Sequence, residues 1–600
     1  MEESNSFRIM FFLLLSIERF FQFTKRKLKI YPLSLRETMK KLFILIIFTF
    51  TSLFAQTNYN VSLFGQMNKY GVNPLASNYS EVWGWTDTVK NREYAFIGSP
   101  LGTSIVDITE LPLKEVSFRI GPPSNYNYHE FRTYKNYLYI GSEGTDITKN
   151  AGIQIVDLST LPDSTTLKKV YVWIDTTNFT TNATRPYYRA HTVSIEKNFL
   201  YVNGGDFGGT RIMDISDPLN PLQVGSYGKG GKPDVHDAYI KNDTLYAAAI
   251  HKGTIDIIDV TIKRNILDTG LVGNKDKAII SSTPTLPEKR THQVWLSEDS
   301  RYMFVSTEIG GGHLHIYDIS NRTAPIQIAT WTSDPAKSIH NAFVKGSYIY
   351  IAYYTDGFRV LDISNPYTPI EVAFYKTYSN PNPPLYAGAW GAYPYYASGK
   401  VVVSDMNTGL YVFDVNEKKG GRITGIVRDA ATQQVLSGVE VLVEEMGRKY
   451  TTDATGKFLY GSAEGKHTIK FSKSGYITKI ETVYTKPALL DTFNVTLTSG
   501  TGTFVIENQN SIPQKFELLQ NFPNPFNPNT KISLSLAEGN FTTLRVYNSL
   551  GQQVATLIDQ NLSSGTYSVT FDARQFPSGV YFYTLRSGNF SSTKKMVLTK

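Results

Sequence analysis

Five of the nine histidines occupy one position in a recurring phrase. They stand as His129-Glu130-Phe131, His191-Thr192-Val193, His236-Asp237-Ala238, His292-Gln293-Val294 and His340-Asn341-Ala342. The same position reads Trp83-Gly84-Trp85 before this series and Trp390-Gly391-Ala392 after it. A second register follows each, at Glu143, Asp206, His251, Glu308 and Asp405, with Tyr354-Thr355-Asp356 in the sixth unit. If both registers lie on adjoining strands near a common axis, imidazoles and carboxylates converge on a narrow funnel. Such a set suits a divalent cation such as Zn, Cu or Fe, and also general acid–base work near neutral pH. A structural reading explains the recurrence too: every unit of a repeat needs the same hydrogen bond, for instance a His bridging to the backbone of the next unit. That reading accommodates the two Trp-Gly units more easily. No catalytic residue is assigned.

The elements that would position these side chains are themselves repeated. An apolar strand ending in Asp recurs at Asp107, Asp157, Asp214, Asp259, Asp318, Asp362 and Asp414, seven copies spaced 44–59 residues apart. Each follows a second strand rich in Tyr and aliphatics, such as NYLYIGS or SYIYIAY. A period near 40–50 residues with several short strands is that of a β-propeller blade, because a small sheet buries both faces only against neighbours. The strand-end Asp closes a turn through its carboxylate. The expected fold is all-β, a seven-bladed β-propeller over 80–418. These phrases resemble the LVIVD repeat, and the whole stretch resembles the choice-of-anchor B family of bacterial surface proteins. That resemblance implies architecture and display, not a reaction.

Composition narrows the classes. Of the net charge of +8, residues 1–55 supply +5, from nine Lys/Arg against four Asp/Glu. No basic tract follows them, so nucleic acid is not an expected partner. With no cysteine there are no disulfides, thiolate metal sites or Cys nucleophiles. Gly228-Lys229-Gly230-Gly231-Lys232 lacks the spacing of a phosphate loop. His129-Glu130 has no second His at the metalloprotease interval, and no Gly-x-Ser-x-Gly elbow occurs.

Near the start, Lys40-Lys41, the apolar run Leu42 to Phe54 and the small Ala55 have the parts of a signal peptide, with cleavage expected between Ala55 and Gln56. The run is short for a membrane span of about 20 residues, so no transmembrane helix is expected in the mature protein. Met39 is read as the true start, with 1–38 an upstream extension, 39–55 the signal peptide and 56–79 a lead-in segment.

Two small β-sandwiches are expected after the propeller. GRITGIVRDAATQQVLSGVEV and TTDATGKF, within 421–499, resemble carboxypeptidase-regulatory-like domains. Such domains space or brace a neighbour. A polar linker, 500–515, leads to 516–600. There the motif positions are Asn521, Pro523, Pro525 and Pro528 of NFPNPFNP, Gly551, Gly579 and Tyr581 of PSGVY, and Lys595 of KKMVL. Their order resembles the type A C-terminal sorting domain of the type IX secretion system. It implies recognition by the outer-membrane translocon and a secreted or cell-surface location. The function expected is binding of a protein or glycan partner through a propeller face. The rival is a metal-dependent enzyme or metal-binding protein using the funnel, with a divalent metal as its cofactor.

Overall fold

The computed structural model describes residues 58–600 apart from 72–77, 122–127, 145–150, 175–185, 188, 229–232, 267–275, 381, 500–502 and 509–512. The signal segment, with Ala55 and Gln56, lies outside the described residues. Within them the chain is all-β, with one 3-10 turn at Glu444–Met446. No described helix is long and apolar enough to cross a membrane.

Residues 82–415 form seven antiparallel meanders, beside a two-stranded sheet of Trp173–Ile174 with Pro186–Tyr187 and a short parallel strand, Asn265–Ile266, at the edge of the third. The first runs through Val82–Asp87, Arg92–Ser99, Gly102–Asp107 and Lys114–Ile120. The others begin with His129–Tyr134, Thr192–Glu196, Val235–Lys241, Thr291–Leu296, Ala342–Lys345 and Ala389–Tyr393. Each Asp-ending phrase is the third strand of its sheet. In six of them the carboxylate accepts the N–H two residues on, as Asp107 does from Thr109 at 3.0 Å and Asp318 from Ser320 at 2.8 Å. That bond turns the chain into the outermost strand.

The first strands neighbour one another in sequence order, and the seventh lies beside the first, so the sheets close into a β-propeller. Successive side chains alternate between the two faces of a strand, and seven apolar clusters result, one between each adjacent pair of sheets. Tyr94, Phe96 and Ile105 of the first sheet, for example, meet Phe131, Leu138 and Ile140 of the second. Each such buried aliphatic or aromatic side chain contributes roughly 1.5–3 kcal/mol.

The segment read as a lead-in has a structural place. Val61–Met67 is the outermost strand of the seventh sheet, antiparallel to Gly409–Val415. Asn58–Tyr59 likewise extends the sixth sheet against Ile370–Tyr375. Pairing the two ends of a ring through a strand ladder removes the free edge that an open array would leave.

Two further pairs of four-stranded sheets follow. Gly420–Asp429 and Lys457–Ala463 belong to one sheet, Glu440–Val443 and Gly465–Ser472 to its partner, and the two share one core. Arg448 ties this unit to the sixth sheet: its Nε and Nη2 donate to Glu371 Oε2 at 2.8 and 2.6 Å. Glu371 also accepts from Arg359 at 2.9 Å, so this buried carboxylate is paired on both oxygens. In the last unit, Asn529–Leu536 and Gly565–Asp572 pack against Asn540–Asn548 and Gly579–Ser587 around a common core.

Candidate functional site

A one-residue irregularity at the start of the inner strands builds the site. In the fourth, fifth and seventh sheets the register skips a residue between Val235 and Asp237, Thr291 and Gln293, and Ala389 and Gly391. His236, His292 and Trp390 are the extra residues. In the sixth sheet His340 N–H and Asn341 C=O both bond Ala352, which is the same bulge. A bulge re-aims side chains that strict alternation would send to opposite faces. Both the histidine and the polar residue after it therefore reach the axis.

The outer tier is a closed aromatic ring. Centroids are 3.9 Å apart for His191–His236, and 4.2 Å for His236–His292, His292–His340 and His340–Trp390. Tyr128 completes the circuit at 5.3 Å from Trp390 and 5.9 Å from His191. His340 Nδ1 donates to Trp390 O at 2.6 Å, a bridge to the next sheet's backbone. Burial, and then the neighbouring imidazoles, push His236 and His292 far below the usual histidine range. Burial takes His340 down to about 3.

Below the ring lies a polar tier of Glu81, Glu130, Thr192, Asp237, Gln293 and Asn341, and below that an aromatic floor. Burial pushes Glu81 up to about 7 and raises Glu130 well above the carboxylate range, with neighbouring acids adding to both. Asp237 is raised by the same burial. Glu81 accepts from Asn341 Nδ2 at 2.6 Å, and Arg132 supplies the tier's cation, 3.7 Å from Glu130. Arg132 also lies 3.9 Å over the Trp83 ring, which meets Tyr393 and Phe343 in the floor. Between ring and floor is a cavity of about 20 Å³, room for one water-sized guest.

Of the expected ring members, His191, His236, His292 and His340 come together and His129 does not. The second sheet has no bulge there: His129 pairs with Ser142 and Glu130 with Gly141 in regular register. Alternation then turns His129 against Gly98 and Gly121 of the first sheet, and Tyr128 takes its place in the ring. The first unit also differs, since Ser80 and Glu81 hold the bulge opposite Gly98 and Trp83 sits two residues deeper.

The second register divides. Glu143 Oε1 is 2.7 Å from His191 Nδ1, and against the effect of burial that bond and Arg189 hold Glu143 below its usual range. Glu308 Oε2 is 3.9 Å from His292 Nε2, and Glu308 accepts from the Tyr354 hydroxyl; burial raises its pKa. The other three lie elsewhere. Asp206 pairs with Arg189, His251 is exposed beside Asp234 at 3.2 Å, and buried Asp405 accepts the Asn407 and Thr408 N–H groups of its own turn. Asp356 pairs with Arg359. Sequence reasoning missed Tyr128, Glu81 and the polar tier. Its signal was present in the residue after each histidine, which is Glu, Thr, Asp, Gln or Asn.

In the tail, the Pro-rich segment folds back on the last sheets. Asn521 Nδ2 donates to Pro523 O at 3.1 Å and Thr530 Oγ1 at 2.9 Å, and Pro528 O accepts from Ala573. Tyr581 donates to Pro577 O at 2.8 Å, and Lys595 O accepts from Gln520 at 2.7 Å. Pro525 lies between Asn524, whose side chain accepts from Val597 N–H, and Phe526, whose N–H reaches Val597 O. Gly551 adopts a left-handed turn at φ +76°.

Comparisons with known proteins agree with these features. Residues 189–228, 290–332 and 338–377, in the third, fifth and sixth sheets, match the LVIVD repeat. Residues 423–503 match the CarboxypepD_reg-like domain, and 520–599 the secretion system C-terminal sorting domain. The chain thus carries LVIVD repeats, a CarboxypepD_reg-like domain and a secretion system C-terminal sorting domain. The tail directs it to the cell surface or the medium and implies contact with the secretion machinery. No curated protein matches the sequence. Among solved structures, the β-propeller domain of Cps50 from Myceliophteria thermophila is 12% identical, covering 59% of this chain and 100% of that one, with a TM-score of 0.37. A hypothetical selenium-binding protein from Sulfolobus tokodaii is 13% identical over 68% and 91%, with a TM-score of 0.36. At such scores the sheet order and the repeats, not these likenesses, carry the fold.

Proposed function

We propose that this is a secreted or surface-displayed binding protein that engages a protein or glycan partner through the propeller face onto which the histidine ring opens. The propeller is seven-bladed and spans 80–418, closed by the strand at 61–67, and belongs with the choice-of-anchor B group. Two β-sandwiches follow, over 421–499 and 516–600. The first braces the propeller through Arg448 and Glu371, and the second is the translocon's recognition element. The signal peptide at 39–55 supplies the first export step.

One observation carries the binding reading: aromatic rings step outward from the ring to solvent. Tyr354 meets His340 at 5.0 Å and Trp390 at 6.1 Å, and Tyr386, 46% exposed, meets Tyr354 at 5.4 Å. Exposed Arg290 and half-buried Glu308 lie near Tyr386, and half-buried Glu143, paired with Arg189, reaches His191 of the ring. Flat rings beside charged hydrogen-bonding groups are the usual anchors of protein and sugar recognition.

A glycan array and surface-protein binding assays on the purified full chain test it. Tyr386→Ala and Arg290→Ala should each weaken the bound partner about tenfold, as truncated anchors do. Tyr367→Ala, at an exposed ring elsewhere on the sixth sheet, should not. Equal binding by all three variants would sink the assignment.

A further inference from the structure

Three potential ligand atoms converge at the ring. One nitrogen each from His236 and His292 and a carboxylate oxygen of Glu308 lie within 4.8 Å of one another. A tetrahedral ion with bonds of about 2.0–2.2 Å spaces its ligand atoms roughly 3.3–3.6 Å apart. Closing onto an ion therefore needs movements of about 1 Å or less per side chain.

The surroundings supply what a ligand set needs. Tyr354 donates to Glu308 and fixes the carboxylate, while the edge-on ring of His191 and the tilted ring of His340 flank the two imidazoles. The Nδ1 atoms of His236 and His292 are buried and approach the backbone of His292 and His340 without completing a hydrogen bond. His340 has made the equivalent bond, to Trp390 O. An imidazole whose Nδ1–H is held by a carbonyl presents its Nε2 lone pair in a fixed direction, the arrangement metal sites use. The backbone bridge and the ligand role are then two uses of one ring.

A second cluster, Glu288, His313 and His315, is less fit. Both nitrogens of His315 are engaged, Nε2 with Glu288 at 2.6 Å and Nδ1 with Gln327 at 3.2 Å.

We propose that His236, His292 and Glu308 bind one divalent transition-metal ion of the zinc class, with a remaining position open to the funnel mouth. Two imidazoles and a carboxylate, in a chain without cysteine, select such an ion over thiolate-bound metals. The site stands independently of the partner-binding reading, because its metal can be measured without a partner.

The test uses the full chain, stripped with a chelator, dialysed, and titrated with Zn2+ or Co2+. Elemental analysis counts bound metal, and Co2+ visible absorption reports its coordination. Wild type should hold one equivalent. His292→Ala should lower affinity about 100-fold or more and Glu308→Gln about tenfold or more, and Tyr354→Phe about tenfold, as lost ligands and outer partners do. Glu308→Gln preserves shape, so it decides the matter if His292→Ala fails to fold. His313→Ala and His251→Ala should bind as wild type. Sub-stoichiometric metal in the wild type, or loss with His313→Ala but not with Glu308→Gln, overturns the proposal.

Discussion

The second and fifth sheets begin with the same kind of phrase, His129-Glu130-Phe131 and His292-Gln293-Val294, and treat the imidazole in opposite ways. In the fifth sheet an extra residue lets His292 and Gln293 both face the axis. In the second the ladder is regular, so Glu130 faces the axis and His129 is packed against glycine backbone. One residue of strand register thus decides whether a histidine is a funnel group or a packing group. The same residue type in the same place of a repeat is not evidence of the same role.

The sharpest way to break the bulged arrangement is at Gly391, the polar-tier position of the seventh sheet. A Cβ there would lie 1.9 Å from Glu81 Oε1, and Glu81 is held by Asn341 and by Val82 N–H. Gly391→Leu should cost roughly 3 kcal/mol or more, read as a lower denaturant midpoint at unchanged slope.

Protonation separates the two axial tiers with opposite signs. Glu81 is raised in the folded protein from 4.5 to about 7, so the folded state holds the proton over that window. Its contribution is full below pH 4.5 and is lost as pH rises through 7. His236, His292 and His340 are lowered, so their contribution is present above 6.5 and is lost as pH falls, for His340 towards about 3. Glu81→Gln should therefore gain about 2 kcal/mol on wild type between pH 5 and pH 8, measured by paired denaturation curves. An unchanged difference across that range would remove Glu81 from the account.

The unbulged arrangement is tested at Gly121, where a Cβ would lie 2.7 Å from His129 Nε2 and 3.1 Å from the Gly102 backbone. Gly121→Ala should cost about 1–2 kcal/mol, and His129→Ala made alongside it should recover part of that loss. The smallest effect belongs to His251, in neither arrangement and largely exposed. His251→Ala should stay within about 0.5 kcal/mol of wild type.

Closure of the ring was not legible in the sequence for a related reason. Val61–Met67 carries no Asp-ending phrase, and its partner strand Gly409–Val415 lies some 350 residues away, so no local pattern marks the pairing. The polar tier was legible only in part. The run of polar residues after the histidines stands in the text, but that Glu81, Glu130 and Asp237 share one buried tier with Arg132 depends on the axis.

Local chemistry fixed much of this protein in advance. Alternating strands, turn-closing Asp carboxylates and an ordered set of tail motifs are short-range features, and they specify the sheets and the export route before any long-range contact forms. Tertiary structure alone decided the rest. Which histidines meet depends on bulges, ring closure and the packing of one sheet on the next. Those are properties of seven sheets sharing an axis, and no single phrase contains them.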